Sequence, residues 1–358
     1  GTSKTFLLFA LLLNIVCALY FLFTKKKALR NTITAILILV FMLIPLNDSY
    51  AFWKSNILYE GESLYNYLQV EDTEDSVILS TNVAFGVQSI YKKDGSLSGY
   101  YYEYALMAPY FIKDMSPEKE LDVLVLGLGT GTFPKQLKKY IPNVTIDAVE
   151  IDAKIADLAT EYFNLKEDEA NVFINDGRSF FQTPDAKQYD IILADAYQDI
   201  TVPFHMSTQE FFRIVKEHLK PGGVLIVNVN MKSGSFTGVP EYLANTVKSI
   251  FNKVYRADLT QVTNSLLFVS DDVNMIDNFK NNAYAQINKN HDLYYISKYI
   301  DANLVEMTDE SLILTDDLAP VELLGQKALA EIVNEEVANF RKLIEGKSLK
   351  EMFEYLTE

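Results

Sequence analysis

Cysteine is almost absent from this chain of 358 residues: Cys17 is the only one, and it lies in an apolar run. A disulfide framework, a thiolate zinc site and a cysteine nucleophile in the rest of the chain are therefore excluded. Histidine is also scarce, with 3 residues, which argues against a multi-histidine metal site. We expect no metal.

Basic residues are the other shortage: 32 lysines and arginines face 48 acidic residues, and the net charge is −16. A field of this sign repels the phosphate backbone of nucleic acids and attracts small cations. We therefore expect no nucleic-acid partner and favour a small cationic substrate.

Acidic residues are missing altogether from residues 1–46, where two apolar runs, 5–23 and 32–46, flank a basic turn at 25–30. The first run is long enough to cross a bilayer, and the second is marginal. No small-residue cleavage pattern follows, so we favour a transmembrane hairpin over a signal peptide. Because the chain does not begin with Met, the hairpin could be the end of a longer membrane region. Trp53 is interpreted as an anchor at the membrane interface.

The remainder of the chain divides into three regions by local pattern. Residues 47–118 contain short alternations rich in Tyr, Val and Ile, which predict a small β-region, and the spacing within 100–111 favours a helix. Residues 119–275 alternate apolar strands with helices, which is typical of an α/β fold with a mostly parallel sheet of about seven strands. Residues 276–358 form a mixed segment that ends in an acidic amphipathic helix at 321–356.

The elements of the core region follow from apolar runs and from helix start and stop signals. The predicted strands are 121–126, 144–149, 171–174, 189–194, 223–229, 253–259 and 264–270, and the predicted helices are 132–140, 153–163, 208–219 and 240–251. The third of these helices is expected to stop at the Lys-Pro-Gly-Gly sequence of residues 220–223.

A glycine-rich turn, GLGTG at residues 127–131, separates the first core strand from the helix that follows. Glycines at this place let a cofactor approach the backbone at the carboxyl end of the strand. Glu150 ends the second strand about twenty positions later, where an acidic residue can hold a ribose diol. The turn does not match the pattern GxGxxG. Asp176, which follows the third strand, is suited to a contact with the edge of an adenine base. The pattern looks like that of S-adenosylmethionine-type transferases rather than that of dehydrogenases.

Asp195 ends the fourth core strand. A carboxylate at that place lies over the cofactor crevice, where it can meet a substrate amine. The alternative is a loop aspartate or a helix-capping aspartate. His205 follows on a loop and could orient a substrate, although a loop histidine with satisfied hydrogen bonds is the simpler interpretation.

Six motifs occur in an order and spacing that resemble the spermidine synthase family of polyamine aminopropyltransferases, over about residues 58–272. They are Glu62-Ser63-Leu64-Tyr65, Tyr101-Tyr102-Glu103, the turn at 127–131, Glu150-Ile151-Asp152, Asp176-Gly177-Arg178 and Asp195. Further phrases are similar to the membrane-fused branch of that family: Asp195-Ala196-Tyr197, Val202-Pro203-Phe204-His205, Thr208-Gln209-Glu210-Phe211-Phe212 and Leu314-Thr315-Asp316-Asp317.

The resemblance implies a small β-domain followed by a methyltransferase-like Rossmann core, with decarboxylated S-adenosylmethionine bound between them as co-substrate. An amine would attack the propyl carbon next to the sulfonium, and methylthioadenosine would leave. By similarity, Asp195 is the proton acceptor and Tyr101 a second catalytic residue on the substrate side. Family members are often oligomers, so a homodimer is expected.

The same resemblance assigns binding roles to residues around these two. Glu150 would hold the ribose hydroxyls, and Asp176 would hold the adenine amino group. Cofactor binding is expected from Gly127, Gly129, Thr130, Gly131, Glu150, Asp152, Asp176, Gly177 and Asn66. Substrate binding is expected from Tyr102, Glu103, Gln198, Asp199, Asp316 and Asp317.

The chain also departs from the family pattern. Family members commonly carry an aspartate in the glycine turn that grips the aminopropyl nitrogen, and Thr130 stands there in this chain. The second carboxylate expected after the proton acceptor falls at Gln198, with Asp199 next to it. These changes remove expected anchors for cationic amines. We hypothesise that Asp316 and Asp317 replace them, with the late segment folded over the crevice.

Two other functions stay open. A methyltransferase that uses S-adenosylmethionine on the same scaffold is favoured by Thr130, whereas the N-terminal β-region and Asp195 favour transfer of a larger group. A non-catalytic sensor would bind a nucleoside or polyamine without turnover and act on a membrane partner.

Membrane sidedness receives conflicting signals. The basic turn at 25–30 places the rest of the chain outside by the positive-inside rule. Nucleoside sulfonium compounds are made in the cytosol, however. We expect a catalytic domain that faces the cytoplasm and is anchored through residues 5–46.

Overall fold

The structure, a computed structural model, describes most of the chain. The described residues are 2–24, 33, 36–38, 40, 55–81, 87–196, 202–230, 238–259, 264–308 and 311–325.

A four-stranded antiparallel meander precedes the core. Its strands are β1 (Ile57–Glu62), β2 (Tyr67–Asp72), β3 (Ser76–Thr81) and β4 (Val87–Lys92), in the order β1-β2-β3-β4. One face of this sheet is apolar because alternate residues of a strand point the same way. The side chains of that face, Leu68, Val70, Val77 and Leu79, are buried against Ile155, Leu158 and Phe163 of the core. The small β-sheet predicted from the sequence is confirmed.

The main sheet has eight strands. They are β5 (Leu121–Leu126), β6 (Val144–Glu150), β7 (Asn171–Ile174), β8 (Tyr189–Ala194), β9 (Leu219–Asn230), β10 (Lys253–Asp258), β11 (Asn264–Ser270) and β12 (Val305–Glu306). The spatial order is β12-β10-β11-β9-β8-β5-β6-β7. Strands β5 to β9 pair in parallel, and β11 and β10 continue the sheet antiparallel.

The prediction of about seven strands thus misses one edge strand. β12 contributes only two residues, which pair with Tyr255 and Arg256 of β10. Two residues are too few to show the alternation of apolar and polar side chains by which strands are predicted, so the sequence pattern could not reveal this strand.

Nine helices have both ends within the described residues. They are α1 (Thr2–Thr24), α2 (Tyr101–Tyr104), α3 (Thr132–Tyr140), α4 (Ala153–Tyr162), α5 (Gly177–Phe180), α6 (Gln209–Glu217), α7 (Val239–Lys248), α8 (Met275–Gln286) and α9 (Tyr294–Asn303). A 3₁₀ segment, Ala105–Phe111, continues α2, and a second one spans Phe204–Met206. The helical interpretation of residues 100–111 is confirmed.

Helix α6 ends two residues earlier than the sequence predicts. His218 caps it, and the chain enters β9 at Leu219. The ammonium of Lys220 donates to the carboxylates of Asp122 and Asp190, both at 2.7 Å, at the amino ends of β5 and β8. This ion-pair network draws residue 220 into the sheet, where the sequence predicted the end of a helix.

The sheet is covered on both faces, as predicted for a parallel α/β sheet. Val123 and Val125 of β5 point to the face covered by α3, α8, α9 and the 105–111 segment. Leu124 and Leu126, the alternate residues, point to the face covered by α5, α6 and α7. The fold is an α/β Rossmann-like core preceded by a small antiparallel sheet.

The structure does not support the predicted transmembrane hairpin. No helix among the described residues is both long and apolar enough to cross a membrane. Most of the second apolar run, and Trp53, lie outside those residues. Residues 321–325 begin the predicted acidic helix, and the rest of it also lies outside the described part of the chain. The region boundaries at 46, 118 and 275 stay predictions.

Phe111 offers a test of the core. Its ring is fully buried and stacks on Phe268 at 4.9 Å and on Phe279 at 4.5 Å between ring centroids. Truncation leaves a cavity between the sheet and α8, so we expect Phe111→Ala to lower the free energy of unfolding by about 3–5 kcal/mol. Denaturant unfolding of the full chain measures this. Tyr295→Ala, at a site that is 81% exposed, is the control and should change it by about 0.5 kcal/mol or less. Equal losses in the two variants would contradict the packing described here.

Candidate active site

The candidate site lies at the carboxyl ends of β5, β6 and β8. In the sheet, β6 lies on one side of β5 and β8 on the other, so the direction in which strands are added reverses at β5. Such a switch point leaves a crevice between the loops that follow neighbouring strands, where open α/β sheets bind ligands.

The glycine turn at 127–131 closes one wall of the crevice. Gly127 has a φ of 98°, and a Cβ there would lie 2.3 Å from the main-chain oxygen of Asp195. Gly127 donates its N–H to the carbonyl of Val149 at 2.9 Å. Because only glycine permits this approach, the turn after β5 lies directly against the residue that ends β8.

Glu150 lies at the end of β6, behind this turn. Its carboxylate accepts hydrogen bonds from the N–H of Gly129 at 3.0 Å and from the N–H of Asp152 at 3.0 Å. Burial raises the pKa of Glu150 to about 7, with a further contribution from the charge of Asp152. A carboxylate has about four acceptor positions, which is more than these two donors occupy.

Asp152 and Asn66 were both predicted to bind a cofactor, and the structure joins them to each other. One oxygen of Asp152 caps α4 by accepting from the N–H of Lys154 at 3.0 Å. The other accepts from Ser63 and from the side-chain amide of Asn66, the latter at 3.1 Å. These bonds fasten the β1–β2 turn to the core, which gives both residues a structural role.

Thr130 stands where the family pattern has an aspartate. Its hydroxyl lies within hydrogen-bond distance of the hydroxyls of Ser89 and Thr132. All three side chains are buried, with Thr130 only 1% exposed. The turn therefore contains a neutral hydroxyl cluster where a carboxylate would have carried negative charge.

Asp176 and Gly177 follow β7, as predicted. One oxygen of Asp176 caps α5 by accepting from the N–H groups of Arg178 and Ser179, at 3.1 and 2.8 Å, and the other lies 2.7 Å from Nε2 of His205. Burial raises the pKa of Asp176, but the bonds from Ser179 and His205 outweigh it, and the net pKa is lowered. His205 thus has a hydrogen-bond partner, in agreement with the simpler interpretation of this loop histidine.

Asp195 and Tyr101, the two predicted catalytic residues, are in contact. The hydroxyl of Tyr101 donates to Oδ2 of Asp195 at 3.0 Å. The other oxygen, Oδ1, accepts from the side-chain amide of Asn228 at 2.7 Å. Burial raises the pKa of Asp195 to about 7; the bonds from Asn228 and Tyr101 oppose this, and the charge of Glu150 adds to it.

Asn228 was missed by the sequence analysis. It lies in β9, is 2% exposed, and accepts through its own oxygen from the amide of Asn264 at 2.9 Å. Its signal was present: an amide between Val227 and Val229, directly after the apolar run 224–227 of an interior strand. A buried polar group in such a place needs a partner, and this one points to Asp195.

Tyr102 and Glu103 are not brought to the crevice. The hydroxyl of Tyr102 donates to the carbonyl of Ile90 at 2.9 Å. Glu103 is fully buried and accepts from Ser98 and from the N–H of Gly99, the latter at 2.7 Å. Burial raises the pKa of Glu103. Their positions favour roles in holding the loop before α2 over the substrate roles predicted for them.

Asp316 and Asp317 have different surroundings. The guanidinium of Arg178 donates two hydrogen bonds of 2.7 Å to Asp316, and the hydroxyl of Thr208 donates a third of 2.7 Å. Asp317 is exposed. The late segment does fold onto the loops of the core, but Asp316 is already neutralised by Arg178. Gln198 and Asp199 lie outside the described residues.

A metal is not indicated in the described part of the chain, where no cluster of three or more potential ligands occurs. The expectation that none is needed stays a prediction.

Known proteins resemble this chain in sequence. The sequence profile of the spermine/spermidine synthase domain matches residues 110–262. A probable polyamine aminopropyl transferase of Bifidobacterium longum is 40% identical over 343 residues, which cover 91% of this chain and 75% of that protein. This chain belongs to the spermine/spermidine synthase family.

Two further relatives extend the comparison. The polyamine aminopropyltransferase of Vibrio vulnificus is 28% identical over 245 residues, 67% of this chain and 80% of that protein. A solved structure, a probable spermidine synthase from Corynebacterium glutamicum, matches with a TM-score of 0.53 at 19% identity, over 67% of this chain and 93% of that one. That likeness shows a shared fold. The resemblance noted in the sequence is confirmed at the level of the spermine/spermidine synthase family, while the membrane-fused branch and the homodimer stay predictions.

The ion pair of Asp316 yields a prediction for this family member. The two hydrogen bonds from Arg178 lower the pKa of Asp316 to about 2. A depressed pKa stabilises the fold above the unfolded-state value and ceases to do so as the pH falls through the folded-state value. We therefore expect Asp316→Asn to be less stable than the parent from pH 5 to 8, and the difference to shrink between about pH 4 and 2.

Thermal unfolding across this pH range measures the effect. The side chains of Arg178 and Asp316 are 20% and 41% exposed, so solvent screening limits the loss to about 1 kcal/mol or less. Asp317→Asn removes the neighbouring exposed carboxylate and serves as the matched control. A loss of stability in Asp316→Asn that is independent of pH would contradict the ion-pair account.

Proposed function

We propose that the protein transfers the aminopropyl group of decarboxylated S-adenosylmethionine to an amine and releases methylthioadenosine. The observation that carries the proposal is the position of Asp195. Its carboxylate lies at the switch point of the sheet, in contact with Tyr101 and across the glycine turn from Glu150. The relatives named as polyamine aminopropyltransferases support this chemistry.

The nucleoside part of the co-substrate fits the residues at the strand ends. In the proposed arrangement Glu150 accepts from the ribose hydroxyls through the acceptor positions that Gly129 and Asp152 leave available. Asp176 accepts from the adenine amino group, and the backbone at Gly127 and Gly129 approaches the nucleoside closely. The sulfonium then lies near the carboxyl end of β8.

The chemical step is a displacement. The lone pair of a neutral amine nitrogen forms a bond to the propyl carbon, the carbon–sulfur bond breaks, and its electron pair remains on sulfur as the thioether methylthioadenosine. The nitrogen then carries an extra proton, which passes to Asp195. An acceptor with a pKa of about 7 is half ionised at neutral pH, where a general base is most effective.

Thr130 is the observation that favours the alternative, a methyltransferase. An aspartate there would attract the free amine of the decarboxylated co-substrate and repel the carboxylate of ordinary S-adenosylmethionine. The neutral cluster of Ser89, Thr130 and Thr132 does neither. Selection between the two forms therefore depends on other groups of the site, and the assay has to include both.

The acceptor amine is a small cation, in keeping with the net charge of −16. Asp316 is paired with Arg178, so the proposal assigns it no amine-binding role. The side chain next to the base is the phenol of Tyr101, which offers an aromatic face and a hydroxyl to the attacking end of the amine.

Product analysis tests the reaction. Full-length protein is incubated with either form of S-adenosylmethionine and a panel of diamines and polyamines, and the products are identified by mass spectrometry. We expect methylthioadenosine and an aminopropylated amine from the decarboxylated form. In Asp195→Asn the rate should fall by about 10²- to 10⁴-fold, because the proton acceptor is lost.

Asp185→Asn, at an exposed position before β8, is the matched control and should retain the parent rate. S-adenosylhomocysteine as the product would favour the methyltransferase. Binding of either compound without product would favour the sensor.

We also propose that residues 5–46 associate the protein with a membrane and that the catalytic region faces the cytoplasm, where its sulfonium co-substrate is made. The support lies in α1, whose Phe6, Leu13 and Val16 are 71%, 66% and 64% exposed. Large apolar side chains left in water in this number mark an interaction surface.

Membrane fractionation of cells tests the association. We expect the parent protein to sediment with membranes and the double variant Leu13→Glu, Val16→Glu to shift to the supernatant, since buried charges oppose lipid contact. Tyr284→Glu, on α8 at a site that is 69% exposed, is the control. A parent protein found only in the supernatant would overturn the association. In sealed vesicles of known orientation, digestion of the catalytic region by a protease added only to the extracellular face would overturn the proposed sidedness.

A further inference from the structure

We propose that Asn228, held by Asn264, is a positioning residue that directs the substrate proton to one oxygen of Asp195, namely Oδ2. The inference rests on the proposed aminopropyl transfer and specifies the atom that acts as the base. It places the attacking nitrogen on the Tyr101 side of the carboxylate.

The two amides form a buried relay behind Asp195. Asn228 in β9 donates from Nδ2 to Oδ1 of Asp195 at 2.7 Å, and Asn264 at the start of β11 donates from Nδ2 to Oδ1 of Asn228 at 2.9 Å. The backbone pairs Asn264 with the second residue after Asn228, so the amides are diagonal neighbours across the strands. They are 2% and 8% exposed.

The direction of this relay depends on the charge of Asp195. An ionised carboxylate can only accept, so the group of Asn228 that faces it must be the NH₂. The oxygen of Asn228 then points the other way and accepts from Asn264. Ionised Asp195 and the two amides thus select one mutual orientation.

Protonation of Oδ1 would break that orientation. A proton on Oδ1 would face the N–H of Asn228, and a bond could re-form only after both amides had turned over. Their burial between strands opposes such a rotation, because a half-turned pair leaves polar groups without partners. Oδ1 is therefore a poor place for the proton.

Oδ2 meets a different neighbour. Its partner is the hydroxyl of Tyr101, at 3.0 Å, and a hydroxyl can donate or accept. When Oδ2 takes a proton, rotation of one O–H bond lets the phenol oxygen accept from it. The proton from the amine nitrogen thus moves to Oδ2, the nitrogen loses its charge, and no other side chain has to turn.

Variants of the relay test this inference by the pH dependence of kcat. The charged and titratable groups that face Asp195 among the described residues are Glu150 from β6 and Tyr101 from α2, and both are unchanged in these variants. Asn228→Leu removes a donor that favours the ionised carboxylate, so its acid limb should move up by about one pH unit. We expect kcat to fall about tenfold, with KM for the amine nearly unchanged.

Asn264→Leu provides the second variant, because it leaves Asn228 in place but frees its amide to turn. We expect an upward shift of the acid limb that is smaller than in Asn228→Leu, and partial recovery in Asn264→Gln, which restores a donor. Asn278→Leu is the matched control: Asn278 donates to Asp272 at 2.9 Å on α8, away from the site. It should retain the parent profile.

The outcomes separate this inference from the proposed function. Parent protein that turns over, with relay variants that lose thermal stability but keep the parent pH profile, would overturn the inference and leave the function standing. If no amine is a substrate, the pKa of Asp195 can still be measured by infrared titration. Its carboxyl band is identified as the one that is missing from the spectrum of Asp195→Asn. An apparent pKa that does not rise in Asn228→Leu would overturn the inference.

Discussion

The close approach of two main chains, at Gly127 and Asp195, is the constraint on which the rest of the site depends. A side chain at position 127 would collide with the carbonyl of Asp195. Because the approach is this close, the turn after β5 and the end of β8 share one wall of the crevice. Glu150 then lies behind the turn and Asp195 in front of it. The carboxylates proposed to bind the nucleoside and to accept the proton are thereby held at fixed positions on the two strands that flank β5.

This arrangement explains the electrostatics of the site. Two carboxyl groups, Glu150 and Asp195, are enclosed by protein, and burial raises the pKa of each to about 7. The hydroxyl cluster around Thr130, in the turn between β5 and α3, carries no charge. A third carboxylate there would raise both pKa values further by repulsion. The neutral turn thus leaves Asp195 easier to ionise, and in the proposed reaction it gives the amine of the co-substrate no carboxylate at this position.

The small sheet and the late segment enclose the crevice through polar contacts rather than by apolar packing alone. Asp152 caps α4 and also receives Asn66 from the β1–β2 turn. Arg178 connects α5, which follows β7, to Asp316 in the late segment. Both contacts use residues that the sequence analysis assigned to ligand binding. Their polar groups serve the assembly of the site, whereas the ligand contacts proposed above involve Glu150, Asp176, Asp195 and Tyr101.

The sequence alone is enough to predict the alternation of strands and helices, the glycine turn, and the carboxylates at the ends of β6 and β8. These features are local: apolar periodicity and glycine spacing are complete within a few residues, so they can be read in order along the chain. The tertiary structure alone decided which polar residues meet. Asn228 and Asp195 are 33 positions apart, Asn66 and Asp152 are 86 apart, and Arg178 and Asp316 are 138 apart. A hydrogen bond needs its two atoms within about 3 Å, and only the packing of the strands brings such distant residues together.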